Sequence, residues 1–125
     1  MKEAKIHVFD PVIYPVKLYI YTNPTNTSLK NDFCIWNEEE CSEYEDGPTK
    51  ASVLKDIVSL KSNGEYGILI SIFNKKLSIS DIAHEATHAA RIIWEWLGED
   101  VSGVESDAYL VGWIAKCIYE VIKNK

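Results

Sequence analysis

Tyr66-Gly67-Ile68-Leu69-Ile70-Ser71-Ile72-Phe73, followed by Ser78-Ile79-Ser80-Asp81-Ile82-Ala83-His84-Glu85-Ala86-Thr87-His88, is where the chain changes its hydrophobic period. The first run is dense in β-branched and aromatic residues and predicts a strand. After Asn74-Lys75-Lys76, Ile82, Ala86, Ala89, Ile93 and Trp96 recur at spacings of three and four, which predicts an amphipathic helix. Ser78 with Asp81, or Ser80 alone, can cap its start, and Gly98 stops it.

Upstream of this switch the chain reads as strands and turns. Ala4 to Asp10 is a short strand candidate. Val16 to Tyr21 is another, bracketed by Pro15 and Asn23-Pro24, and Phe33 to Trp36 is a third. Ala51 to Lys61 fits either period; Ser62-Asn63-Gly64, a hairpin turn, favours a strand there. Downstream, Ser102 with Glu105 forms a second possible capping box. Val104, Ala108, Val111, Ala115, Ile118 and Ile122 then mark the inner face of a second helix. The expectation is an α+β fold: one domain over residues 1–125, with a small mixed sheet of short strands packed against two C-terminal helices.

Composition narrows the function. The chain has 125 residues, 46% of them apolar, which suits one core. A net charge of −6 with scattered basic residues argues against nucleic acid as a partner. No apolar stretch approaches membrane-spanning length, and the charged start Met1-Lys2-Glu3-Ala4-Lys5 is unlike a signal peptide, so a cytoplasmic protein is expected. Cys34, Cys41 and Cys117 contain no C-x-x-C pair and read as reduced thiols. The acidic run Glu38-Glu39-Glu40 with Glu43, Glu45 and Asp46 reads as a solvated loop, or as the border of a groove that prefers basic peptides.

The chemistry concentrates in His84-Glu85-Ala86-Thr87-His88. Histidines four apart on a helix project from one face, one turn apart, a spacing that a tetrahedral Zn2+ bridges. Glu85 is rotated by about 100° and can accept a proton from water as general base without itself being a ligand. The plainer reading is two surface histidines on an amphipathic helix. Two of only three histidines falling in one motif favours the metal. His7 reads as an ordinary strand residue. A third protein ligand is needed; Glu105, seventeen residues past His88, is the best candidate, with Asp107, Glu99 and Asp100 behind it. Glu105 has a plainer role as well, as the partner of Ser102 in the cap.

The His-Glu-x-x-His motif with a downstream glutamate resembles the gluzincin branch of the zincin metallopeptidases. Glu105-Ser106-Asp107-Ala108 is similar to the E-x-x-A segment of ImmA/IrrE-type peptidases. Asp10 to Pro15, Tyr66 to Ile70, the histidine motif and Ala108 to Trp113 resemble small phage or prophage proteins of unassigned function. The resemblance implies His84, His88 and Glu105 as zinc ligands, Glu85 as base, and a peptide or protein as substrate. It also implies that the strand Tyr66 to Phe73 is an edge strand that pairs with the extended substrate. The chain departs from metzincins, with Arg91 and Trp94 where glycine and histidine would stand. It also departs from thermolysin-like gluzincins, which place an acid where Tyr109 is. With no downstream histidine, Tyr109 is the nearest candidate to stabilise an oxyanion; plain packing is its other reading. The rival function is a zincin-like metal-binding or interaction domain without turnover; a third is a metal-free helical interaction module.

Overall fold

The computed structural model describes residues 3–12, 14–45, 47, 49–98 and 104–123, with the backbone alone at 104 and 105. The strands are β1 (Lys5–Phe9), β2 (Lys17–Thr22), β3 (Phe33–Ile35), β4 (Ala51–Val53), β5 (Val58–Leu60) and β6 (Tyr66–Ile72). The helices are α1 (Asn26–Asp32), α2 (Ile79–Leu97) and α3 (Val104–Lys123). The expected α+β architecture is present: a small mixed sheet with two C-terminal helices against it.

The sheet runs β1-β2-β6-β5-β3, with β4 beside β5 on the same edge of β6. Only β2 and β6 pair in parallel, from Lys17↔Gly67 to Thr22↔Ile72. β4 and β5 pair antiparallel with the C-terminal and N-terminal parts of β6. The ambiguous stretch 51–61 therefore holds two short strands. Gly64, at φ 74°, turns β5 into β6, its N–H donating to the Leu60 carbonyl at 2.7 Å.

β6 is enclosed on both edges, which corrects the expectation that it is an edge strand. Its apolar residues run without a polar alternation because both faces are buried. Ile68, Ile70 and Ile72 join Leu18 and Ile20 in the core beneath α2 and α3. Leu69, Tyr19 and Tyr21 face the opposite side, where Leu29 of α1, Phe33 and Cys41 cover them. α1 is an element that sequence reading passed over; its signal is the reciprocal cap between Thr25 and Ser28, both hydrogen bonds 3.0 Å.

The acidic loop is more than a solvated run. Glu38, Glu39, Glu40, Glu43 and Glu45 are exposed and Asp46 lies outside the described residues, but Cys41 is buried, and the Tyr44 hydroxyl meets Ser71 Oγ at 2.7 Å. On α3 the inner face is rotated from the expected one. Leu110, Ile114, Cys117, Ile118 and Val121 are buried, while Ala108 is exposed. Both stripes are apolar, and the one with the larger side chains wins the core.

Candidate metal centre on α2

Ser78 starts α2. Its hydroxyl accepts the Asp81 N–H at 3.0 Å, and its own N–H donates to Asp81 Oδ2 at 3.0 Å. Those hydrogen bonds hold the Asp81 carboxyl below its ordinary range. Ile82, Ala86, Ala89, Ala90, Ile93 and Trp94 turn into the core. The opposite side of the helix carries His84 and His88, both exposed.

The two imidazoles meet edge to face, ring centroids 4.5 Å apart and planes at 81°. Their Nε2 atoms are 3.1 Å apart. Two nitrogens each bound to a tetrahedral zinc at 2.0–2.1 Å stand about 3.3–3.4 Å apart, so the spacing of this pair is close to that of two zinc ligands, with the rings still to turn so that both nitrogens face the metal. A hydrogen bond between two Nε2 atoms needs a proton on one of them, and metal binding would displace it. The donor chemistry thus fits zinc as far as these two residues go. Among the described residues, no group of three or more His, Cys, Asp or Glu could hold a metal.

Glu85 sits on the flank between the exposed and buried sides and is half-buried. Burial pushes its carboxyl above the usual range, His84 and His88 pull it back, and Asp81 adds to the rise. Glu105 lies in the first turn of α3, with its side chain outside the described residues, as are Glu99, Asp100 and the Ser102 cap. Asp107 is committed elsewhere. Its Oδ1 accepts the Trp94 indole N–H at 2.9 Å, and Oδ2 lies 3.8 Å from the Arg91 guanidinium.

Arg91 and Trp94, the positions that depart from the metzincin pattern, therefore tie α2 to α3. Trp94 is only 8% exposed and meets Tyr14 edge to face at 5.5 Å. Sequence reading missed this tie because it depends on how the two helices are aligned. Tyr109 is 75% exposed. With Pro11, Tyr14, Leu110 and Trp113 it lines an apolar cavity of about 280 Å³ that neither histidine borders. His7 is on β1, opposite Ile20, and burial lowers its pKa. The three cysteines are free, and burial raises the thiols of Cys41 and Cys117 to about 11. Among the described residues, no helix is long and apolar enough to cross a membrane.

No protein-family model matches the chain, and no curated protein or solved structure matches it either.

Proposed function

We propose that the chain is a zincin-like, zinc-dependent hydrolase of peptide bonds, acting in the cytoplasm. The observation that carries this reading is the convergence of His84 and His88 at 3.1 Å, with Glu85 on the adjoining flank. Bound there, zinc would supply Lewis acidity, polarising a scissile carbonyl and bringing the pKa of water towards ~7. In this reading His84 and His88 are two of the ligands and Glu105 is the third. Glu85 takes the proton from the attacking water and passes it to the departing amine. Tyr109 is the candidate for steadying the oxyanion.

With β6 enclosed, the role of receiving an extended peptide passes to β4. It packs under α2 and, among the described residues, pairs with β6 alone. Its outer edge therefore has backbone groups available for a peptide strand.

One observation favours a second reading. Both histidines are exposed, and two cavities lined by described residues lie elsewhere. A metal-binding or interaction domain without turnover would look the same. Glu85→Gln separates the two: it should keep about one zinc per chain and abolish peptide hydrolysis, whereas His84→Ala should lose the metal. Hydrolysis that survives in Glu85→Gln rules out the general-base role. Zinc-free protein from zinc-supplemented cells rules out the hydrolase and any metal-binding role.

A further inference from the structure

Three aromatic side chains that the zinc reading does not use meet at the C-terminal end of α2. Trp96 is in its last turn, Trp36 directly follows β3, and Tyr66 opens β6. The Trp36 and Trp96 ring centroids are 5.4 Å apart with planes at 64°. Those of Tyr66 and Trp96 are 6.1 Å apart at 81°. Trp36 is 46% and Tyr66 44% exposed, a large share for rings already in contact with a neighbour. Steeply inclined rings present faces and edges together, unlike the flat platform that suits a stacked base or sugar.

Acidic residues flank each ring in the chain. Glu65 precedes Tyr66, Glu95 precedes Trp96, and Glu38 and Glu39 follow Trp36. The last two are held by a tight turn, in which Glu38 N–H donates to the Ile35 carbonyl and Ile35 N–H to the Glu39 carbonyl, both at 2.8 Å. All four glutamates are exposed. Lys17 lies 3.6 Å from Glu65, but among the described residues no cation is paired with Glu38, Glu39 or Glu95. The net charge of −6 adds to the attraction for a cation and repels an acidic partner. Half-exposed aromatic rings whose neighbours in the chain are exposed glutamates suit a guanidinium, which stacks on a ring and offers its N–H fork to acids.

We infer that the Trp36–Trp96–Tyr66 patch is a docking surface for an arginine-containing segment of a peptide or protein. This goes beyond the zinc reading and does not depend on it. The rings lie some two turns of α2 past His88, roughly 12 Å along the helix axis.

The test is fluorescence anisotropy of a labelled Gly-Arg-Gly-Arg-Gly-Arg-Gly peptide, beside its Arg-to-Gln counterpart, against the full chain at low and high salt. The arginine peptide should bind at least tenfold more tightly than the glutamine peptide, and less tightly as salt rises. Trp36→Ala and Tyr66→Ala should each weaken it at least tenfold with the circular dichroism unchanged. The double variant Glu38→Gln/Glu39→Gln changes only exposed groups and carries the test if an aromatic variant unfolds; it should weaken binding about threefold and flatten the salt dependence. Equal binding of the two peptides, or wild-type binding by all the variants, overturns the inference. So does a dimer, seen by light scattering, that Trp36→Ala dissociates; the patch would then belong to a second copy of the chain.

Discussion

Replacing Asp107 separates its role as a tie between helices from any role as a metal ligand. In Asp107→Ala the Trp94 indole N–H, on a side chain 8% exposed, loses its acceptor at 2.9 Å. A hydrogen bond to a charged group is worth about 1.5–3 kcal/mol, and a buried donor left unpaired costs about as much. The Arg91 contact, at 3.8 Å with the Arg91 side chain 56% exposed, adds about 0–1 kcal/mol. The expected loss is therefore about 2–3 kcal/mol. In a chain of 125 residues each kcal/mol shifts the Tm by about 4 °C, so Asp107→Ala should melt about 8–12 °C lower. Asp107→Asn keeps an oxygen for the indole and gives up only the charge, so it should lose about 1 kcal/mol, or about 4 °C. Thermal melts followed by circular dichroism measure both shifts, and a zinc titration of the same proteins should show wild-type affinity throughout. Equal destabilisation by the two substitutions would show that the charge, not the indole acceptor, holds the helices. A large fall in zinc affinity in both would falsify the division of labour and make Asp107 the third ligand.

Gly67→Ala should destabilise the sheet, because its Cβ would stand 2.5 Å from Tyr19 Cε2 and 2.7 Å from the Lys17 carbonyl oxygen. Overpacking of this kind costs about 1–3 kcal/mol and the lost glycine flexibility returns about 0.5–1, so the Tm should fall by roughly 4–8 °C; a Tm at or above wild type would mean that the ring moves aside freely. Alkaline pH should unfold the protein through its buried phenols. Burial raises Tyr19 and Tyr44 to about 12, and burial with the Asp32 hydrogen bond raises Tyr21 further, whereas unfolded tyrosine ionises near ~10. The folded state then holds the protons that the unfolded state releases. The stability these groups contribute is whole below pH ~10 and is lost as pH climbs towards ~12. Phenolate absorbance should rise together with loss of circular dichroism in that window, and titration near pH 10 with the fold intact would count against the burial.

What could be read from the sequence was local. The Ser78–Asp81 cap, the Ser62–Gly64 turn and the histidine spacing each depend on residues within about one helical turn, and each has a structural counterpart. Misreadings came where a choice depends on distant partners. Whether Tyr66–Ile72 is an edge or a centre turns on β2, β4 and β5, although its apolar residues at both parities already favoured a buried position. The inner face of α3 turned on which of two apolar stripes met α2. The tie from Trp94 to Asp107 follows from the alignment of two helices close together in sequence, and such an alignment leaves no periodic trace.

The parallel pairing of β2 with β6 also governs how the molecule can be assembled. Lys17 and Gly67 are register partners although fifty residues separate them, so closing that loop carries a length-dependent entropy cost of about 3.5 kcal/mol before the ladder forms. The histidine helix leaves the end of that same strand. A fragment beginning at β6 would carry the motif on a strand with both edges bare, a template for joining other chains. The helix that carries His84 and His88 thus depends, through β6, on the strand Lys17–Thr22, and severing one from the other invites aggregation.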